Sequence, residues 1–188
     1  VALAGGQAQC TTSALPIGTS NALAAVYSGD GLNSASTGTL TYEVTRAPVN
    51  LSITAHVPDP SAVLSPVKVT VAPNVVPPGT GIPTGTVQVD RGGDQCTIAV
   101  PDVDPSCTLT PTIVGIVNIG AQYGGDANFA TATAAAVAHT TTALAQTITF
   151  PVVPDRPIGT PAFIVSATAS SGLTVAFASA TPAVCTLS

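Results

Sequence analysis

Charged side chains are scarce in this sequence, at 7% of 188 residues against roughly a quarter in an ordinary soluble domain. Tryptophan and methionine are absent and the remaining aromatics make up 4%, so any core has to be assembled from Val, Ile, Leu, Ala and Thr. This poverty bears on function. General acid–base catalysis needs positioned carboxylates or imidazoles, and the single glutamate, Glu43, lies in a strand-like run. No Gly-x-Ser-x-Gly elbow, His-Glu-x-x-His pair or phosphate-cradling glycine loop occurs. The chain therefore reads as a non-enzyme with no cofactor. Nine acidic against four basic residues leave a net charge of −5, the wrong sign for releasing counterions from a phosphate backbone, so nucleic acid is not expected as a partner. No apolar run approaches the roughly 18 residues that a membrane-spanning helix needs. Long helices are excluded by 17 Pro and 17 Gly scattered through the chain.

What is abundant is Ala, Thr, Val and Ser. Thr and Val are stiff at χ1 and suit a pleated surface. Val49, Leu51, Ile53 and Ala55 alternate with polar neighbours, as do Val67, Val69 and Val71, which is the period of a half-buried strand. Thr84-Gly85-Thr86-Val87-Gln88-Val89 follows a Pro-rich connection from Pro73 to Pro83. Ile119, Ala121 and Tyr123 then lead into a turn at Gly124-Gly125-Asp126, after which Phe129 is expected to begin a last strand. Short strands punctuated by Gly and Pro at about 8–12 residue intervals predict an all-β sandwich.

The sequence also repeats itself. Tyr27-Ser28-Gly29-Asp30 returns as Tyr123-Gly124-Gly125-Asp126, 96 positions on. Val57-Pro58-Asp59-Pro60 is answered by Val153-Pro154-Asp155-Arg156-Pro157 at the same offset, and Cys10 and Cys107 both precede Thr ahead of their respective tyrosines. A period of this length is the size of a domain. It divides the chain into residues 1–46, matching the second half of a repeat, residues 47–145, one whole repeat, and residues 146–188, a first half. Short connections are expected around Ala47-Pro48 and Ala143–Gln146. Cys185-Thr186-Leu187-Ser188 resembles Cys96-Thr97-Ile98-Ala99, so the tail reads as though it continued into the head. The expectation is one period of a longer array, or a subunit whose half-domains are completed by neighbours in a filament. The chain begins with Val1 without a charged n-region and apolar core behind it, so an export signal is expected elsewhere.

Pro83-Thr84-Gly85-Thr86-Val87 and Tyr123-Gly124-Gly125-Asp126-Ala127-Asn128-Phe129, with the echo at Tyr27–Asp30, resemble the bacterial Ig-like repeat domains of large secreted and cell-surface proteins. Gln146-Thr147-Ile148-Thr149-Phe150-Pro151, Ala167–Leu173 and Thr181–Thr186 resemble a related repeat of the same kind. The resemblance implies tandem immunoglobulin-like sandwiches of Greek-key type, an extracellular or bacterial cell-surface location, and no catalytic residue. One departure is Asn33, which stands where the later copy has Phe129, so the last strand of the first copy is expected to pack less firmly.

Few residues stand out as sites. Cys96 and Cys107 bracket ten residues containing Pro101, Asp102, Asp104 and Pro105, which reads as a hairpin stapled at its ends by a disulfide, with free thiols or a metal as the alternatives. Cys10 and Cys185 are candidates for an inter-repeat or intersubunit disulfide. Four cysteines without C-x-x-C spacing favour an oxidising compartment. The turn residues Tyr27, Gly29, Asp30, Tyr123, Gly125 and Asp126 read as structural, each Asp accepting backbone N–H bonds, with calcium as the alternative. Asp90, Asp94, Asp102 and Asp104 form the densest acidic stretch and a weak calcium candidate, since their spacing fits no calcium-loop pattern. His56 and His139 stand alone in sequence and read as packing or surface residues.

These residues predict a structural module of an extracellular fibre, stalk or adhesin whose chief partner is itself, with host or cell-surface ligands as further partners. The alternative is a carbohydrate-binding adhesin module or an accessory domain of a secreted hydrolase, in which Tyr42 or Tyr123 would contact sugar.

Overall fold

The structure is a computed structural model and describes residues 6–12 and 15–182. The described residues contain strands and no helix. The chain divides into two compact units, Val1–Thr142 and Ala143–Ser188.

The first unit opens with an antiparallel hairpin, β1 (Gly18–Tyr27) and β2 (Ser36–Val44), which forms a two-stranded sheet of its own. Nine strands follow: β3 (Val49–Val57), β4 (Ser61–Ala62), β5 (Val67–Val75), β6 (Gly85–Arg91), β7 (Asp94–Val100), β8 (Ser106–Leu109), β9 (Gly115–Tyr123), β10 (Ala132–Thr133) and β11 (Val137–Thr142). They make two sheets. One has the order β3-β5-β8; the other runs β4-β11-β9-β6-β7, with β10 also pairing β9. All pairings are antiparallel except β4 on β11, where Thr141 lies opposite Ser61 and Thr142 opposite Ala62.

One core lies between the two sheets, as alternation requires: Leu51, Val67, Val69, Val71 and Leu109 come from the first, and Val87, Val89, Ile98, Val100, Ile119, Ala121 and Tyr123 from the second. Both sheets are thus hydrophobic on the face that meets the other. The fold is a sandwich-like all-β assembly, and the aliphatic core expected from composition is present.

Local sequence accounts for several boundaries. Gly92 and Gly93 both have positive φ, which a two-residue turn between right-twisted strands demands, and Arg91 pairs with Asp94 across it. Pro73, expected in a loop, instead lies within β5 opposite Leu51. The N–H of Val71 donates to Pro105 O, on the β8 side, and β8 itself pairs with β5 only as far as Thr70. Two residues further on, the missing N–H of Pro73 falls on a flank with no ladder to lose.

Phe129 does not begin the last strand. It closes the turn after β9 and forms an isolated bridge to Ala47, whose N–H donates to Asn128 O and whose carbonyl accepts from Ala130 N–H. The final strand starts at Val137, opposite Ile119.

Among its described residues the second unit pairs β12 (Ile148–Thr149) with β13 (Thr168–Ala169). Phe150 stacks edge-on against Phe177 with ring centroids 5.8 Å apart. The Arg156 guanidinium lies 4.1 Å from the centre of the Phe163 ring. In this unit Val152, Ile158, Ile164 and Leu173 are exposed, whereas Val165 and Val175 are half-buried.

Candidate functional site

The two Tyr-x-Gly-Asp turns adopt one backbone design. In each, a glycine with positive φ, Gly29 or Gly125, precedes the aspartate. Asp30 Oδ1 accepts the N–H groups of Leu32 and Asn33, while Asp126 Oδ1 accepts those of Asn128 and Phe129, at 2.7–2.8 Å throughout. The aspartate N–H in turn donates to Asn33 O in the first copy and Phe129 O in the second. Added side chains at Gly29 and Gly125 would come within 2.9 and 3.0 Å of backbone atoms, so glycine is required twice over.

The copies differ at the other carboxylate oxygen. Asp126 Oδ2 accepts both the N–H and the hydroxyl of Thr84, at 2.8 and 2.7 Å, and Tyr123 donates its hydroxyl to Thr84 O at 2.7 Å. Thr84 directly precedes β6, so tyrosine and aspartate together fasten the start of that strand beside β9. In the first copy Asp30 Oδ2 accepts the Tyr27 hydroxyl at 2.7 Å and the Asn33 amide at 3.1 Å. The turn folds in on itself, and among the described residues no strand lies on the free edge of β1.

Electrostatics follow this geometry. The Thr84 hydroxyl, with backbone N–H groups, holds Asp126 well below the usual carboxylate range. The Tyr27 hydroxyl, with the Leu32 N–H and the side-chain amide and N–H of Asn33, does the same for Asp30. Burial, together with the Asp126 charge, raises Tyr123; the hydrogen bond to Asp30 raises Tyr27.

Cys96 and Cys107 form a disulfide, but not at the ends of a hairpin. Cys96 lies on β7 and Cys107 on β8, which belong to different sheets, and the hairpin of this region is β6–β7 around Gly92-Gly93. The bond therefore cross-links the two layers. A structural disulfide of this kind points to an oxidising environment. Cys10 is an exposed free thiol, and Cys185 lies outside the described residues.

The acidic stretch is dispersed over separate partners. Asp90 accepts from the Gln95 amide, and Asp94 from the N–H and hydroxyl of Thr112. Asp102 accepts the N–H of Asp104, whose own carboxylate is 2.6 Å from the Lys68 ammonium and is held below the usual range by it. Among the described residues these four do not converge on a common point. Tyr123 is fully buried, so it offers no platform to a sugar, and Tyr42 on β2 is half-buried.

The residues that do converge come from two distant stretches of the sequence. His56 near the end of β3, Asp59 in the crossing from β3 to β4, and His139 on β11 bring their ligand atoms within 4.8 Å of one another. The two Nδ1 atoms are 3.3 Å apart. His139 Nδ1 lies 3.3 Å from Asp59 Oδ1, and His56 Nδ1 3.9 Å from Asp59 Oδ2. Topology assembles them: β3 belongs to one sheet, and within three residues the chain reaches β4, paired to β11 in the other. His139 and Thr141 point inward because alternate residues of β11 do. Ser61 Oγ lies 2.9 Å from His139 Nε2, and the Thr140 N–H donates to Asp59 Oδ1 at 3.0 Å.

Arg91, the last residue of β6, is fully buried as well. Its Nη2 donates to Thr141 Oγ1 and Ile113 O, while Nε and Nη1 have no hydrogen-bond partner. Burial pulls the His139 imidazole below its ordinary value, against the Asp59 charge and with help from Arg91 and His56. Ser61, His139 and Asp59 share the connectivity of a Ser-His-Asp relay. Ser61 and His139 are both buried, so a substrate carbonyl has no approach to the hydroxyl in this conformation. A signal was present in His56-x-x-Asp59, an i,i+3 pair; its third member is 83 positions from His56.

No family model matches the chain, and no curated protein matches it.

Proposed function

We propose that the chain is a non-enzymatic structural module of an extracellular array, built from tandem immunoglobulin-like repeats of Greek-key type. In this reading the β1–β2 hairpin is completed by a strand from a neighbouring repeat. The observation that carries it is the duplicated turn, docked on Thr84 and β6 in one copy and closed on itself in the other. The hairpin supports the same reading, because Leu23, Val26 and Leu40 are exposed and an isolated two-stranded hairpin is marginal in water. The occupant is a strand of the β6 type, opening with Pro-Thr-Gly-Thr chemistry, whose threonine would displace Tyr27 from Asp30 and add to the edge of β1. A cell-surface fibre, stalk or adhesin is the setting that such modules suit.

Amide hydrogen exchange tests this on one copy of the chain across a wide concentration range and on a polypeptide carrying two copies in tandem. The N–H groups of Leu23–Tyr27 should gain about 100-fold protection on oligomerisation or in the tandem form. Unchanged exchange in both would sink the proposal.

A further inference from the structure

We infer that His56, Asp59 and His139 form a binding site for a divalent transition-metal ion of the zinc class, which would clasp the two sheets of the sandwich where β3 crosses to β4. Zinc is held by imidazole nitrogens and carboxylate oxygens at about 2.0–2.2 Å in tetrahedral geometry, which places neighbouring ligand atoms roughly 3.3–3.5 Å apart. The Nδ1–Nδ1 and Nδ1–Oδ1 separations of 3.3 Å match that spacing. The remaining 3.9 Å between His56 Nδ1 and Asp59 Oδ2 closes with a small rotation of the carboxylate.

The surroundings orient the ligands as a metal site requires. With Nε2–H of His139 donating to Ser61 Oγ, the lone pair of Nδ1 is directed at His56 and Asp59. The Thr140 N–H fixes one oxygen of Asp59. The His139 side chain is fully buried, those of His56 and Asp59 are 20% and 34% exposed, and this graded exposure gives the ion an entry path and leaves its fourth position to solvent. Imidazole-rich donor sets favour zinc, copper or nickel over calcium or magnesium. The site is separate from the hairpin and independent of the array reading.

The test is a titration of untagged full chain with zinc chloride, followed by calorimetry and thermal melting, and repeated with cobalt(II) for its visible spectrum. Micromolar or tighter one-to-one binding is expected, with the sandwich melting about 10 °C higher at a hundredfold excess over Kd. Cobalt should show the d–d bands of a four-coordinate nitrogen–oxygen site. His56→Ala and Asp59→Asn alter partly exposed groups, so they keep the test decisive if His139→Gln fails to fold. Each should weaken binding at least about 100-fold, and Ser61→Ala, acting through His139, about 10–100-fold. Binding that is absent, that survives His56→Ala and Asp59→Asn, or that gives thiolate-to-cobalt charge-transfer bands would overturn the inference; the last would place the ion on a cysteine such as Cys10.

Discussion

The turn at Tyr123–Phe129 and the turn at Tyr27–Asn33 share their glycine, their aspartate and their backbone hydrogen bonds, yet only the first is part of a core. Tyr123 and Phe129 are buried, whereas their counterparts are a half-buried Tyr27 and an exposed Asn33. Local sequence is enough to form the turn in both places, because Oδ1 of the aspartate meets its backbone partners within three residues. Burial is a property of the sheets around it. What separates the copies is whether Thr84 and β6 are present to receive the tyrosine and the second carboxylate oxygen.

The sharpest way to break this comparison is at the tyrosine. Tyr123→Ala should cost the sandwich about 3–5 kcal/mol, the range for deleting a large buried aromatic, whereas Tyr27→Ala should shift the same transition by less than about 0.5 kcal/mol. Chemical denaturation of both variants checks this, and equal losses would show that the hairpin and sandwich already share one core.

The disulfide gives a somewhat smaller effect on the same side. Replacing Cys96 and Cys107 together by alanine should lower stability by about 2–3 kcal/mol, since the bond closes a short loop. It also joins β7 to β8 across the layers, so the loss should appear in the sandwich transition and leave exchange of the β1–β2 amides unchanged. Hydrogen exchange under reducing and oxidising conditions reads both at once.

Protons separate the copies more gently. Folding lowers the pKa of Asp126, so its contribution to stability is complete above the unfolded carboxylate value of about 4 and is lost as pH falls through the folded one. Thermal melts between about pH 6 and pH 2 should therefore fall with acid, and Asp126→Asn should flatten part of that slope. Asp30 is lowered in the same direction, but its bonds hold only its own turn. Asp30→Asn should leave the sandwich slope as it is, and a matching change in both variants would contradict the separation.

Much of this was legible in the residues. The 96-position offset located both turns, and alternation located β3, β5, β6 and β9, because these signals are local. Sheet membership was not legible. Cys96 and Cys107 could be paired from spacing, but only the ladder register puts β8 beside β5 and not β7. His56 and His139 are brought together by a short crossing and a parallel pairing at the sheet edge, neither of which leaves a fixed interval in sequence. Arg91 was hidden for the opposite reason: it continues the inward alternation of Val87 and Val89, where a charge is the least expected residue.

The smallest effect is expected at Asn33, and it sharpens the comparison most. Asn33→Phe restores the residue of the second copy. In the single chain position 33 is exposed among the described residues and the substitution removes an amide bonded to Asp30, so the change in hairpin protection should be about zero or slightly unfavourable. If a neighbouring repeat supplies the missing strand, the same ring gains a site like that of Phe129, which packs beneath Gly81 just before β6. Burial of a Phe side chain is worth about 1.5–3 kcal/mol, so in a tandem or assembled form Asn33→Phe should slow exchange of the β1 amides by tenfold or more. A substitution that does nothing alone and stabilises only in company is the behaviour of a surface made for a partner, whereas equal effects in both settings would mean the hairpin is complete as it stands.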